Sequence, residues 1–270
     1  MPQKRLKLLW YFGARTYVLD DIFNKVSELY PKRMTTFVDV FGGSGLVVLN
    51  VPPEWKINRV YNDIDLRLYN LLNVLRDENK RQRLFEMLDL SLPHRKIFED
   101  LKQKTDFKDD VEQAYTYLYV HFCSYNANDK SFSVHIAEHR DYFKIQLNLL
   151  KHNFFAIKNL TIECLDYKEL IKKYDSYTTF FYLDPPFLSS GKNYKYSFTV
   201  KDFQEMHDIL MNIKGYWLMN ESEVDFPEII RIFGEPQIVK EYLNTANTNR
   251  MQVNSGNRKS YRKEGFWYNF

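Results

Sequence analysis

Along this chain of 270 residues the apolar positions follow two periods in turn. From Thr16 to Leu29 they recur roughly three and four apart, the spacing of a helix with one buried stripe, and Pro31 follows its end. Thr36 to Phe41 is a nearly continuous apolar run, which reads as a buried strand entering a glycine turn, with a helix expected from about Ser44. After Pro52 and Pro53 the cycle repeats as a short strand at Ile57–Tyr61, the turn NDID and the helical run LRLYNLLNVLRD. Residues 77–155 break the rhythm with mostly charged or polar helical runs and then the passage CSYNANDKSFSVHIAEHR. The rhythm resumes with a strand in AIKNLTIEC, a helix from about Tyr167, a strand in TTFFYLDPPF, the helix VKDFQEMHDILMNI and the strand GYWLMNES. Alternating strands and helices predict an α/β fold, and the interruption predicts a second subdomain set into it.

Composition narrows this picture only slightly. With 44% hydrophobic and 17% aromatic residues, the chain can bury a substantial core in one or two domains. Lys and Arg number 38 against 35 Asp and Glu, a formal charge of +3, so any nucleic-acid contact has to come from a local patch. Two cysteines, Cys123 and Cys164, argue against a disulfide framework and against a cysteine-built zinc cluster. The start MPQKRLKLLWYFG lacks the apolar run of a signal peptide, and no stretch of 18 apolar residues occurs, so a soluble, cytoplasmic protein is expected.

The chemistry concentrates in two strings about 140 residues apart, FVDVFGGSG at 37–45 and FFYLDPPF at 180–187. Each reads as a buried strand delivering a turn to its carboxyl end, the edge at which open α/β sheets hold ligands. Gly42, Gly43 and Gly45 permit a tight turn and close approach of a ligand to backbone N–H groups at a helix start. The string is neither the dinucleotide fingerprint nor a lysine-bearing phosphate loop, so NAD and ATP are not favoured. Asp63, in the turn after the second strand, is placed to accept hydrogen bonds from ribose hydroxyls, with Asp65 as the competing choice. For both carboxylates the alternative is a helix cap.

Asp184-Pro185-Pro186-Phe187 suits a harder task, attack by an exocyclic amino group whose lone pair is delocalised into a base. The Asp184 carboxylate and the Pro185 carbonyl, held by proline-restricted torsions, could accept both N–H bonds and direct the lone pair at an electrophilic methyl. Phe187 would stack on a base drawn out of a duplex. A strand-ending turn with Phe187 in the core is the alternative. HIAEH, with His135 and His139, is not the HExxH metal motif, and no metal is expected. Basic and aromatic residues meet at Lys192, Tyr194, Lys195 and Tyr196 and again in the terminal NRKSYRKEGFWYNF, where they could hold phosphates.

In the order of these elements the chain resembles the Dam-like, D12-class DNA adenine-N6 methyltransferases over most of its length. YFGAR at 11–15 is similar to the family's aromatic-x-G-G-K segment, with Ala14 and Arg15 replacing its second glycine and its lysine. FVDVFGGSG resembles the F-x-G-x-G loop, NDID the acidic motif that follows, IECLDY at 162–167 the segment before the catalytic loop, and DPPF the DPPY loop. The F-N-G-L-x-R-x-N and F-N-V-P-F-G-x-Y words of the family's recognition region are absent, so its usual GATC target does not carry over. In the terminal string Glu264 and Asn269 fit the family, whereas Phe266, Trp267 and Tyr268 read as a core strand.

The resemblance implies a Rossmann-like methyltransferase fold with a mostly parallel central sheet. Residues 1–76 and 156–270 would form the catalytic domain, and 77–155 an inserted, mainly helical target-recognition subdomain. It implies S-adenosyl-L-methionine as cofactor, bound by Tyr11, Gly13, Arg15, Asp39, Phe41, Gly43, Gly45, Asp63, Asp166, Tyr167 and Asp184. Catalysis would fall to Asp184, Pro185, Pro186 and Phe187, and nucleic-acid contact to Lys130, His135, Arg140, Lys192, Tyr194 and Lys195. Double-stranded DNA is the expected substrate, methylated site-specifically on adenine N6 after base flipping. A cognate restriction endonuclease is a candidate partner, and the expected state is a monomer or weak dimer. The alternatives are methylation of cytosine N4 or of RNA adenine, and cofactor and nucleic-acid binding without turnover.

Overall fold

The computed structural model describes residues 5–10, 15–133, 141–188, 198–243 and 261–270. They form an α/β fold with a seven-stranded, mostly parallel sheet, and the chain divides into two compact units, 1–170 and 171–270.

In the first unit strands β1 (Thr36–Asp39), β2 (Asn58–Asn62) and β3 (Leu160–Glu163) run parallel in the order β3-β2-β1. Val38 lies opposite Val60, and Tyr61 opposite Ile162. Helix α1 (Leu19–Val26) buries Leu19, Ile22, Phe23 and Val26, the stripe expected from the sequence. Four further helices open on an aspartate whose carboxylate accepts a backbone N–H of the first turn. They are α2 (Leu66–Arg76) on Asp65, α3 (Glu78–Asp89) on Asp77, α5 (Asp110–Phe122) on Asp109 and α6 (Tyr142–Asn153) on Asp141. Helix α4 (Arg95–Lys102) lies between α3 and α5 in the chain. Leu71 and Leu75 of α2, Leu84 and Leu88 of α3, Phe98 of α4, Leu118 of α5 and Leu147 of α6 share one core with Tyr61 and Leu160. Burying each such side chain contributes about 1.5–3 kcal/mol, which fixes these helices on β2 and β3.

The helix expected from Ser44 does not form. Gly45 adopts φ +72°, the residues that follow make only a 3₁₀ turn at Val48–Asn50, and Pro52-Pro53 prevents its extension.

Helix α7 (Tyr167–Tyr174) leads into the second unit. There β4 (Thr179–Leu183), β5 (Tyr216–Ser222), β6 (Ile238–Leu243) and β7 (Tyr261–Tyr268) lie in the order β4-β5-β7-β6. The β4–β5 pair is parallel, and the pairs made by β7 are antiparallel. All five residues of β4 are buried, as expected of a parallel strand covered on both faces. Helix α8 (Val200–Leu210) starts in a capping box of Thr199 and Asp202, and α9 (Phe226–Phe233) has Pro227 in its first turn. Phe266 and Trp267 of β7 are core residues, with the Trp267 indole donating to the Gly234 carbonyl at 2.8 Å. At the edge, β6 carries the exposed charges Lys240 and Glu241, which discourage pairing with another chain.

Candidate functional site

The carboxyl ends of β1, β2 and β3 are tied together by one side chain. Asn62, 2% exposed, donates through Nδ2 to the carbonyls of Val40 at 2.9 Å and Leu165 at 3.1 Å, and its Oδ1 accepts from the Leu165 N–H at 2.9 Å. The turn after β1 thereby keeps a fixed relation to the turn carrying Asp63 and the turn carrying Asp166.

The glycine turn works differently from the sequence expectation. All three glycine N–H groups are used inside the protein: Gly42 donates to the Asn62 carbonyl at 2.7 Å, Gly43 to Asp63 Oδ2 at 2.9 Å and Gly45 to the Gly42 carbonyl at 2.8 Å. With no α-helix following, the turn has neither free glycine donors nor a helix dipole to present to an anion. What glycine supplies is space, since a Cβ on Gly42 would lie 2.4 Å from Tyr61 Cε2. Tyr61 in turn donates its hydroxyl to the Gly43 carbonyl at 2.8 Å.

The two aspartates of NDID separate clearly. Asp65 is buried, caps α2 through the Arg67 N–H at 3.0 Å and pairs with the Arg67 guanidinium at 2.6 Å. Asp63 accepts the Gly43 N–H on one oxygen and the Asp65 N–H, at 2.9 Å, on the other. A carboxylate has about four acceptor positions, so two remain for a ligand. Burial pushes the Asp63 carboxyl up to about 6 and the Asp65 charge adds to this, while the two backbone hydrogen bonds and Arg67 oppose it. Ile64, between them, is 42% exposed.

Around this turn Asp39 is buried and its Oδ2 accepts the Val48 N–H at 3.2 Å. The rings of Phe41 and Tyr167 lie 6.0 Å apart at 37°. Asp166 caps α7 through the Lys168 N–H at 2.9 Å. Arg15 is buried where the chain enters the 3₁₀ turn Thr16–Val18. Burial pushes the Cys164 thiol up, and the Asp63 and Asp65 charges add to the shift; Cys123 rises to about 12, chiefly by burial, which leaves it an inert thiol.

In the second unit Asp184 follows the last residue of β4. Asp184, Pro186 and Phe187 are half-buried and Pro185 is buried. Beneath the loop, Tyr182 donates its hydroxyl to Oδ1 of the fully buried Asn220 on β5. Since Leu183 lies opposite Met219, Asn220 is the next residue along, beside Asp184. Asn269 holds the far end of β5, accepting from the Trp217 N–H at 2.9 Å and donating to the Gly215 carbonyl at 3.0 Å. Neither Asn62 nor Asn220 stood out in the sequence, although each is a polar residue directly following apolar ones, Val60-Tyr61 and Leu218-Met219.

Lys130 is exposed on the loop after α5. Tyr11, Gly13, His135, Arg140, Lys192, Tyr194 and Lys195 lie outside the described residues. Among the described residues no helix is long and apolar enough to cross a membrane, and no group of three His, Cys, Asp or Glu side chains is arranged to hold a metal ion.

Type II methyltransferase M.MjaIII of Methanocaldococcus jannaschii is 25% identical over 255 residues, covering 81% of this chain and 85% of its own length. Type II methyltransferase M.CviBI of Paramecium bursaria Chlorella virus NC1A is 22% identical over 213 residues, covering 76% of this chain and 80% of its own. Residues 11–233, from the YFGAR segment through the DPPF loop to the end of α9, match the D12 class N6 adenine-specific DNA methyltransferases, and the chain belongs to that family.

Proposed function

We propose that the protein uses S-adenosyl-L-methionine to methylate N6 of an adenine at a particular sequence in double-stranded DNA, with Asp184-Pro185-Pro186-Phe187 as its catalytic loop. The observation that carries this reading is the half-buried Asp184 at the carboxyl end of a fully buried parallel strand, followed by two prolines and an aromatic ring, in a chain of this family.

The residues of the first unit fit the cofactor. A turn whose Gly42 leaves no room for a side chain, Asp63 with two acceptor positions remaining, and the rings of Phe41 and Tyr167 together suit a nucleoside with ribose hydroxyls. When bound, the cofactor supplies a methyl group on a sulfonium centre. Asp63 would accept the ribose hydroxyls, Asp39 and Gly45 would border the methionyl portion, and Tyr11, Gly13, Arg15 and Asp166 would complete the enclosure.

On the DNA side, Phe187 would stack on the flipped adenine, a contact worth about 1–3 kcal/mol. The Asp184 carboxylate and Pro185 carbonyl would accept the two N6–H bonds, so that nitrogen presents its lone pair in line with the methyl. Asp184 would hold or take up the departing proton, and no covalent enzyme intermediate is needed.

Residues 1–76 and 156–270 would form the catalytic domain, with 77–155 reading the DNA sequence and Lys130, His135, Arg140, Lys192, Tyr194 and Lys195 holding bases or phosphates. A companion restriction endonuclease is a candidate partner, and the protein would act as a monomer or weak dimer. Substituting Asp184→Ala tests the assignment. With cofactor at a concentration shown by calorimetry to saturate the variant, single-turnover methyl transfer should fall by at least about a hundredfold; full turnover would exclude Asp184 from catalysis.

A further inference from the structure

The loop that leaves α5 is held in a conformation its sequence would not choose. Ser124 bridges to Phe132, the Tyr125 N–H donates to the Ser131 carbonyl at 2.9 Å, and the Ser133 N–H donates to the Cys123 carbonyl at 2.8 Å. Inside it Ala127 and Asp129 have φ of 53° and 57°. Side chains with a β-carbon adopt this region rarely, and keep it where the surroundings demand it.

Asp129 is the point of attachment. Its N–H donates to Ser124 Oγ at 3.1 Å, Oδ1 lies 2.8 Å from His121 Nδ1, and Oδ2 accepts from Arg67 at 3.2 Å. The Arg67 guanidinium reaches onward to Asp65 and lies over the Tyr117 ring at 4.9 Å. His121, 1% exposed, places its other nitrogen 2.6 Å from the Trp10 carbonyl, immediately before the YFGAR segment. Both ring nitrogens face oxygen atoms, which fixes the plane of the imidazole. Charges alternate along Asp65, Arg67 and Asp129. Burial pushes the Asp129 carboxyl up, but His121 and Arg67 outweigh it and hold the group below its usual value.

The loop's outer side carries the exposed residues Tyr125, Lys130 and Ser131. Below it, Phe132 packs edge-on against Phe98 of α4 at 5.5 Å and under the Arg95 guanidinium at 4.8 Å, and Lys102 donates to the Lys130 carbonyl. An ammonium, a hydroxyl and an aromatic ring on a rigid support are suited to phosphate oxygens, base edges and an unstacked base.

We propose that His121, Asp129 and Arg67 are positioning residues that fix loop 124–133 as a sequence-reading element against DNA, tied through Asp65 to the same turn that carries Asp63. The inference rests on the DNA-methyltransferase reading and adds the device that sets its discrimination. A merely structural role would lower stability and slow methylation of every site alike. A positioning role changes the ratio between sites, because a displaced loop loses contacts made only to the preferred sequence.

The test is methylation of a duplex library with randomised bases around adenine, with each product sequenced, by the full-length wild type, Asp129→Asn and Asp129→Gly. Asp129→Gly removes the carboxylate while easing the positive φ, so it keeps the test open if Asp129→Asn fails to fold. Discrimination between the preferred site and its single-base neighbours should fall by about tenfold, with cofactor affinity within about twofold of wild type. Folded variants whose site profile superimposes on that of an active wild type would overturn this inference alone. A wild type that methylates no adenine in the library would overturn the proposed function, and this inference with it.

Discussion

Replacing Asn62 isolates hydrogen bonding from packing at the strand ends. Asn62→Ala removes three hydrogen bonds, to Val40, to the Leu165 carbonyl and from the Leu165 N–H. At about 1 kcal/mol net for each, the loss is about 3 kcal/mol, more if the two carbonyls stay dry. Asn62→Asp has almost the same shape and keeps the acceptor for Leu165, yet it turns an oxygen instead of an N–H toward two carbonyls. Measured at about pH 8, where a carboxyl ionises, it should therefore cost at least as much as alanine. Urea unfolding gives the free energies, and hydrogen exchange of peptides spanning 36–62 and 160–166 should show the loosening localised there. An aspartate variant within about 0.5 kcal/mol of wild type would show instead that shape alone holds the three turns together.

Other consequences follow from the same geometry. Gly42→Ala forces a methyl group against the Tyr61 ring, so it should destabilise the chain by about 1–3 kcal/mol and weaken cofactor binding at least about tenfold, as read by thermal melting and calorimetry. With ionised Asp63 as the proposed acceptor for the ribose hydroxyls and its carboxyl raised to about 6, cofactor affinity should fall about tenfold between about pH 7.5 and 5, and Asp63→Asn should flatten that profile. On folding the sign is opposite: a carboxyl raised from 3.8 to about 6 lowers stability as pH rises between those values, and Asp63→Asn, although it turns an amide N–H toward one of the two backbone N–H groups, should flatten this dependence in urea titrations of the unliganded chain. Phe187→Ala should lower kcat/KM on DNA by about 5- to 150-fold through lost stacking, whereas Phe187→Tyr should keep most of it.

The apolar runs of β1, β4 and β5 made the α/β fold legible in sequence, because strands covered on both faces are written as continuous hydrophobic stretches. Edge strand β6 was not legible, since Ile-Val-Lys-Glu-Tyr-Leu spends most of its length in solvent and carries no buried period. Helix α9 had a signal, Pro227 followed by Ile229 and Ile230, that was short enough to pass unnoticed. The glycine turn was legible as a turn, but its N–H partners were not, because Asp63 and Asn62 come from the next strand and meet it only after folding. Asn62 bonds to a residue 103 positions away, and His121 to a carbonyl 111 positions away; local pattern carries no information about such pairs. The aspartates of NDID illustrate the same limit, since either could cap the helix by sequence and only the Arg67 pairing assigns that role to Asp65.

Methylation of adenine N6 is read out by incubating unmethylated duplex DNA with purified protein and methyl-labelled S-adenosyl-L-methionine, then analysing the nucleosides by mass spectrometry. Wild type should give labelled N6-methyladenine, and Asp184→Ala should lose it. Label on cytosine N4, or no labelled base from a protein shown to bind the cofactor, would contradict the proposed function.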